Sequence, residues 1–392
     1  MNYASKCSSN ENRICMKTMF GFLADCSGLG LTAVPWFTES VISVNLSKNS
    51  LQNVPQDDRL PSKLKYLDLS ENIILNFGTD GPLPFSNTKH LLSLNLSHNR
   101  ISLDKETYFK GIFTNLGELQ HLDVSHKSFG NRSYYCPDEV FQELESLQSL
   151  SIDGLTELTS RITIPNDYFV HFPNLKFLDL SSHWDRHVSL FAGLDHIESG
   201  TFRRLARLEV LNISYKRKLG LCGFKNVTHD LPFTPIKVFK AQYLACERSG
   251  STWLFNNDIK PLLNTKLEEL YIDGNNLDKT ENTATTLIPR SLRYLSATDN
   301  RWIVAQYSYY KILPNLTNVK TIDLSFQNRH QMSQSVNSSQ CDHPDSVIEI
   351  ACLCERFPYN VNTNHLTFQS ETSYNSKAVR NKENNLDTIH SC

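Results

Sequence analysis

The chain has 392 residues and a nearly balanced charge, with 39 lysine and arginine residues against 41 aspartate and glutamate residues. A formal net charge of -2 provides no global attraction to nucleic acid or to an anionic membrane surface. No apolar stretch approaches the roughly 20 residues that a membrane-spanning helix needs, so the sequence predicts no such helix.

The first 40 residues have the features of a disulfide-bonded N-terminal cap, because three cysteines precede the first regular element. We favour a bridge between Cys15 and Cys26. A bridge between Cys7 and Cys26 is the alternative that the sequence leaves open. Residues 1–12 are polar throughout, whereas a secretory leader has a basic start and an apolar run, so no signal peptide is visible.

A nine-residue template, L-x-x-L-x-L-x-x-N, is complete in residues 91–99 and recurs along the chain. Its eleven copies begin at Val41, Leu64, Leu91, Leu119, Leu147, Leu175, Leu208, Ile236, Leu267, Leu292 and Val319. This spacing is typical of leucine-rich repeats, in which each copy buries its leucines only against neighbouring copies. We therefore predict an α/β leucine-rich repeat solenoid, a horseshoe with a parallel β-sheet on its concave face, over residues 41–328.

The ninth position of the template divides the repeats into regular and irregular ones. It holds Asn49, Asn72 and Asn99 in the first three copies, where a buried amide can bond the backbone of adjacent turns. The asparagine is absent from the fourth to the eighth copy, returns in the ninth and tenth, and is absent again in the last; these residues are Lys127, Leu155, His183, Lys216, Leu244, Asn275, Asn300 and Gln327. We expect residues 183–201 and 245–262, in the irregular region, to protrude as loops.

Phenylalanines recur ahead of the repeat starts, at Phe109, Phe141, Phe169 and Phe202. Their spacing predicts that they fill the layer beneath the convex face. Cys222 and Cys246 flank the turn between the seventh and eighth copies, and we predict a disulfide between them. Residues 329–392 are polar and contain a C-x-C pair at Cys352, which suggests a poorly ordered segment or a degenerate C-terminal cap.

The cysteine usage and the N-x-S/T sequons indicate an extracellular or cell-surface protein. The predicted glycosylation sites are Asn45, Asn95, Asn131, Asn212, Asn226, Asn315 and Asn337.

No catalytic motif, cofactor-binding motif or metal site is predicted, so we interpret the chain as a protein that is not an enzyme. His183 and His187 have a metal-ligand spacing but lack a third ligand. A basic neighbourhood is interpreted as a solvated edge, which makes nucleic acid the less favoured ligand class. It consists of Arg203, Arg204, Arg207, Lys216, Arg217 and Lys218.

Binding is the predicted activity, because a solenoid presents a long rigid inner surface whose side chains vary without disturbing the core. The outward positions of the eighth to tenth copies carry no sequon and combine charge with aromatic residues, which are enriched at interfaces. The predicted ligand-binding residues are Lys240, Glu269, Tyr271 and Tyr294.

The cap stretch at residues 26–35, the LDLSEN and LNLSHN repeats and the F-x-x-L spacing at Phe141, Phe169 and Phe202 together resemble a Toll-like receptor ectodomain. The resemblance covers residues 15–328. It implies an innate immune receptor that binds a microbial or protein ligand and forms a homodimer, or a heterodimer with a membrane receptor. The transmembrane and TIR segments of that family are absent from the sequence, so a fragment and a soluble decoy are both open. A secreted or matrix leucine-rich repeat protein acting in adhesion is the alternative.

Overall fold

The structure is a computed structural model of the whole chain. It describes residues 5–6, 14–17, 22–55, 59–77, 84–101, 111–125, 138–152, 162–181, 194–217, 219–245, 251–281, 283–301, 318–325, 335–337 and 367–369.

Short strands dominate the described residues. They are β1 Ser5–Lys6, β2 Ile14–Lys17, β3 Leu23–Asp25, β4 Ser43–Asn45, β5 Tyr66–Asp68, β6 Ser93–Asn95, β7 His121–Asp123, β8 Ser149–Ser151, β9 Ile162–Ile164, β10 Phe177–Asp179, β11 Leu194–Ile197, β12 Val210–Asn212, β13 Val238–Lys240, β14 Ser251–Leu254, β15 Glu269–Tyr271, β16 Leu277–Thr280, β17 Tyr294–Ser296, β18 Thr321–Asp323, β19 Ser335–Asn337 and β20 Thr367–Gln369. The helices are α1 Asp138–Phe141, α2 Gly220–Asp230 and α3 Asn256–Ile259, with 3₁₀ turns at Leu231–Phe233, Lys260–Asn264 and Ala284–Leu287.

Every predicted repeat contributes one strand to a single sheet, and β3 adds another ahead of them. The order β3-β4-β5-β6-β7-β8-β10-β12-β13-β15-β17-β18 is parallel throughout. Equivalent template positions pair across it, as Leu94 does with Leu67 and Leu122. The leucine-rich repeat solenoid with its parallel sheet is therefore confirmed.

Each repeat strand of the main sheet buries its middle residue, and its flanking side chains point to the opposite face, because successive side chains of a strand alternate between faces. Leu64, Leu67 and Leu69 of one repeat are at most 2 % exposed and continue the same columns as their neighbours. Burial of each such leucine stabilises the fold by about 1.5–3 kcal/mol. The continuous core lies between the main sheet and the segments that connect one repeat strand to the next, which we call the return segments.

The described return segments contain regular structure where the sequence predicted protruding loops. Leu194 and Ile197 of β11 are completely buried, and β11 pairs with β9. Ile259 of α3 and Leu262 of the following 3₁₀ turn are buried, and β14 pairs with β16 and β19 in a second small parallel sheet. For the described parts of residues 183–201 and 245–262, the expectation of protruding loops is therefore wrong.

The buried phenylalanine column contains the predicted members that the structure describes and one further member, Phe113. Phe141, Phe169 and Phe202 are buried as predicted. In the preceding repeat Phe113 is the buried member and stacks on Phe141 with ring centroids 5.9 Å apart. Phe109 lies outside the described residues.

The asparagine ladder is present wherever the template keeps its ninth residue. The Asn72 amide donates to the carbonyls of Leu46 and Leu69, both at 3.0 Å. Its Oδ1 accepts the backbone N–H of Leu51 at 3.0 Å. Asn275 forms the same bonds where the asparagine returns in the ninth repeat, donating to the Ala241 carbonyl at 2.7 Å. These amides satisfy backbone groups that have no partner within a strand, as predicted.

Replacing Asn72 with alanine should destabilise the solenoid by about 2 kcal/mol or more, because buried carbonyls and a buried N–H lose their partner. The denaturant midpoint is the measurement. Asn264→Ala, at an exposed position, is the matched control and should change the midpoint little. Equal midpoints for the two variants would contradict the stabilising role of the ladder.

Candidate functional site

The four predicted ligand-binding residues lie on three adjacent strands of the main sheet. Parallel pairing places Lys240 of β13 beside Tyr271 of β15. It also places Glu269 of β15 beside Tyr294 of β17. All four occupy outward positions that flank a buried middle residue.

Direct contacts join these four side chains. The Lys240 ammonium lies 5.2 Å from the centroid of the Tyr271 ring. The Tyr271 hydroxyl donates to Glu269 Oε2 at 2.8 Å. The rings of Tyr271 and Tyr294 have centroids 5.1 Å apart and are inclined by 37°. The structure therefore brings the four residues into one cluster, and their role in ligand binding stays a prediction.

Asp273, which follows β15, is 3 % exposed and forms a polar network with the adjoining repeats. It accepts hydrogen bonds from Ser296 Oγ at 2.5 Å and from the backbone N–H of Thr298 at 2.6 Å. Gln242 Nε2 also donates to it. The carboxylate is thus fixed by three donors from the repeats on either side.

A second pair of tyrosines lies at the turns that follow β12 and β13. The rings of Tyr215 and Tyr243 stack with centroids 5.0 Å apart and an interplanar angle of 8°. Both residues have left-handed backbones, with φ of 65° and 53°. The Tyr243 hydroxyl donates to Asp299 Oδ2 at 3.3 Å.

Gly274 makes room for the Tyr243 ring. A Cβ built on Gly274 would lie 2.2 Å from Cδ1 and Cε1 of that ring. Its φ of 64° also falls in the left-handed region. The ring therefore passes over the backbone of the next repeat to reach Asp299.

We call Tyr215, Tyr243, Tyr271 and Tyr294, with the carboxylates of Glu269 and Asp273, the tyrosine surface. Burial raises the pKa of each of the four phenols. The Asp273 carboxylate also contributes to raising the pKa of every one of them. For Tyr271 the hydrogen bond to Glu269 is the next largest cause after burial. The phenols remain protonated in a negative local potential.

Tyr215, Tyr243 and Asp273 were missed because the sequence analysis followed only the outward strand positions. They occupy the seventh and eighth template positions, just past the strand. Their signal was available in the sequence, since two consecutive repeats place tyrosine at the same eighth position.

Three predicted glycosylation sites lie at the ends of strands and have a structural use there. The side-chain oxygens of Asn45, Asn95 and Asn212 each accept the backbone N–H of the serine two residues later, at 3.0 Å. Asp68 and Asp123 make the same turn in other repeats, at 2.9 Å. The sequon at these positions thus coincides with the turn motif of the repeat, and glycosylation stays a prediction.

Among the remaining sequons, the structure describes the side chains of the one at Asn226. Asn226 lies in α2, where its amide donates to the Ile197 carbonyl at 2.9 Å. The completely buried Thr228 of this sequon donates to the Asp258 carbonyl at 2.7 Å. Asn131, Asn315 and the side chain of Asn337 lie outside the described residues.

Cys26 and Cys222 are disulfide-bonded. The antiparallel register of β2 with β3, extended by one residue, places the backbone of Cys15 opposite Cys26. This register favours Cys15 over Cys7 as the partner, and the pairing stays a prediction. Cys246, the predicted partner of Cys222, lies outside the described residues.

The basic neighbourhood does not form a uniform cationic face in the part that the structure describes. Arg203 Nε pairs with the buried Asp230 at 2.9 Å, and the guanidinium lies 4.7 Å from the Phe233 ring centroid. Lys216 is 1 % exposed. Lys218, His183 and His187 lie outside the described residues. Among the residues that the structure describes, no cluster of metal-ligating side chains occurs.

Replacing Gly274 with alanine should disrupt the tyrosine stack, because Cβ overlaps the Tyr243 ring. Gly220→Ala is the matched control, since Gly220 also has a positive φ but open space around its Cβ. We expect G220A to cost about 1–2 kcal/mol from the backbone alone. G274A should cost about 1–3 kcal/mol more. Denaturation and near-UV circular dichroism measure the two effects, and equal losses in both variants would contradict the overlap.

Replacing Glu269 with glutamine should lower the pKa of Tyr271 toward its ordinary value of about 10, because the anionic hydrogen-bond acceptor is lost. In the native protein this phenol has a raised pKa, so its share of stability is present below pH 10 and is lost as pH rises above it. Tyrosine ¹³Cζ shifts followed against pH measure the change. Glu268→Gln, one residue earlier, should leave Tyr271 unchanged; an equal shift in both variants would refute the specific bond.

Comparisons with known proteins find leucine-rich repeat relatives, although no protein-family model matches the sequence. Toll-like receptor 4 of Pinctada imbricata is 29% identical over 345 residues, which cover 82% of this chain and 36% of that protein. Human Toll-like receptor 8 is 24% identical, over 74% of this chain and 27% of that protein. Human lumican is 26% identical, over 56% of this chain and 55% of that protein.

Two solved structures are also similar. An internalin of Listeria monocytogenes has a TM-score of 0.47 and 16% identity, over 74% of this chain and 68% of that chain. TLR13 in a complex with ssRNA13 has a TM-score of 0.38 and 20% identity, over 80% of this chain and 50% of that chain.

The chain spans about a third of the length of the Toll-like receptors that it matches. A search of the described residues finds no helix long and apolar enough to cross a membrane. The repeats and their register make the chain a leucine-rich repeat protein, and its sequence is similar to those of Toll-like receptors over most of its length.

Proposed function

We propose that the chain is a ligand-binding ectodomain of Toll-like receptor type, and that its ligand binds on the tyrosine surface. The observation that carries the proposal is the contact of Lys240, Glu269, Tyr271 and Tyr294 across three adjacent strands. Aromatic side chains grouped with charged ones are the residues that dominate binding energy at protein interfaces.

The rigidity of the surface supports the proposal. Tyr271 is held by Glu269 and by the neighbouring ring of Tyr294. Tyr243 is held between Tyr215 and the backbone of Gly274. Side chains that are already ordered lose little conformational entropy when a ligand binds.

The distribution of sequons on the inner face also supports this location. Asn45, Asn95 and Asn212 would carry glycans beside β4, β6 and β12. The outward positions of β13, β15 and β17 contain no sequon. A ligand on the tyrosine surface would therefore lie away from sugars on Asn45 and Asn95, whereas a sugar on Asn212, which pairs with Lys240, would border the surface along β12.

The disulfides at Cys26 and Cys222 and the Toll-like receptor relatives support an extracellular or cell-surface location. We propose a microbial or protein ligand, with a homodimer or a heterodimer with a membrane receptor as the signalling assembly. A soluble decoy that binds ligand without signalling uses the same surface.

A matrix protein is the second candidate function, because the match to lumican covers a larger share of that protein than the matches to the Toll-like receptors cover of theirs. Binding to immobilised collagen in place of microbial products would favour this alternative.

The test measures binding of the purified chain to immobilised lipopolysaccharide, peptidoglycan, flagellin and single-stranded RNA. We expect saturable binding to at least one product. Combined Tyr271→Ala and Tyr294→Ala substitutions should weaken that binding by about 2 kcal/mol or more, roughly 30-fold.

Tyr66→Ala is the matched control, because Tyr66 is an outward tyrosine on β5, 47% exposed and remote from the cluster. It should bind like the unmodified chain. Absence of binding to every product, or unchanged affinity in the folded double variant, would refute the proposed function.

A further inference from the structure

The tyrosine surface already holds a cation, and that cation belongs to the chain itself. The Lys240 ammonium lies 5.2 Å from the Tyr271 ring centroid, within the distance at which a ring face attracts a positive charge. The Tyr294 ring adjoins the same tyrosine at 5.1 Å. An ammonium group against a tyrosine ring that is itself backed by a second aromatic ring resembles the arrangement that aromatic sites use to recognise organic cations.

The groups that act on the rings of Tyr271 and Tyr294 are negatively charged. Glu269 Oε2 is fixed 2.8 Å from the Tyr271 hydroxyl, so its charge stays beside the ring. The buried Asp273 carboxylate is held from both sides by its three donors. Both carboxylates also contribute to the raised pKa values of Tyr271 and Tyr294. The local field therefore favours a cation over an anion.

The charged residues at the other outward strand positions of the main sheet are also negative. Lys240 is the one lysine or arginine at the outward strand positions of β4 to β18 in the main sheet. The carboxylates at those positions are Asp68, Asp123, Asp179, Glu269 and Asp323. Nucleic acid and other polyanions need several phosphate contacts from cations, and this face does not provide them.

We infer that the tyrosine surface recognises arginine or lysine side chains of a polypeptide ligand, and that Lys240 competes with the ligand for the Tyr271 ring. The inference rests on the proposed function, because it assigns a ligand class to the same surface. In this inference the Lys240 ammonium occupies the position on the Tyr271 ring that a cationic side chain of the ligand would take, and Lys240 is not itself a contact for the ligand. Removing Lys240 should consequently strengthen binding, whereas removing any other member of the cluster should weaken it.

The experiment measures binding of a fluorescent oligo-arginine peptide to the full chain at physiological ionic strength. Oligo-glutamate and single-stranded RNA are the comparison probes. We expect saturable binding of oligo-arginine that is tighter than binding of either polyanion. Glu269→Gln and Tyr271→Ala should each weaken it by about tenfold, and Lys240→Gln should tighten it by about threefold or more.

Two matched controls separate a local effect from a change in total charge. Glu145→Gln removes the same charge at an exposed position between α1 and β8, and Lys260→Gln removes a lysine at an exposed 3₁₀ turn. Both should leave the affinity for oligo-arginine within twofold of the unmodified chain. Circular dichroism confirms that each variant is folded.

Failure of the inference differs from failure of the proposed function. No binding of oligo-arginine, or equal affinity in E269Q, Y271A, K240Q and the controls, would overturn the inference. Tighter binding of RNA or oligo-glutamate that depends on Tyr271 would overturn the cationic ligand class and leave the surface as the binding site. The proposed function fails separately, when microbial products bind equally to the chain with and without Tyr271 and Tyr294.

Discussion

The solenoid depends on one backbone hydrogen bond that repeats make just past their strands, wherever the structure describes that turn. The N–H of the eighth template residue donates to the carbonyl of the seventh residue in the next repeat, as from Lys48 to Ser70 at 3.0 Å and from Tyr243 to Asp273 at 2.7 Å. This geometry requires a left-handed backbone at the eighth residue, and each described one has a positive φ. The strands continue through these turns into a single stack, so the bond keeps adjacent repeats in register just past their strands.

The same turn explains how the candidate site is built. A left-handed residue without a β-branch is needed there, and its side chain is left free to vary. Lys216 and Leu244 replace the ladder asparagine in repeats seven and eight. The Tyr215–Tyr243 stack joins the turns of repeats seven and eight. Between repeats eight and nine the bond from Gln242 to Asp273 is present together with the bonds of the Asn275 amide.

Features that recur with the repeat period could be predicted from the sequence. The strands, the asparagine ladder and the grouping of Lys240, Glu269, Tyr271 and Tyr294 follow from equivalent positions lying side by side. Phe113 was missed although it has the F-x-x-L spacing, six residues before a repeat start, that identified Phe141, Phe169 and Phe202. In the structure the Leu116 N–H donates to the Phe113 carbonyl at 2.9 Å. Asp273 was missed because its role depends on donors from two other repeats, which no single repeat reveals.

Asp273 also links the two halves of the tyrosine surface physically. Its carboxylate bonds Gln242 beside the Tyr215–Tyr243 stack and Ser296 beside Tyr294. A charged ligand group beside Tyr271 on the inner face and a charged ligand group beside Tyr243 at the turn would therefore interact with the same Asp273 carboxylate. Because the carboxylate is buried, its field is screened less than that of an exposed acid. A ligand that spans the inner face and the turn would meet one continuous electrostatic site.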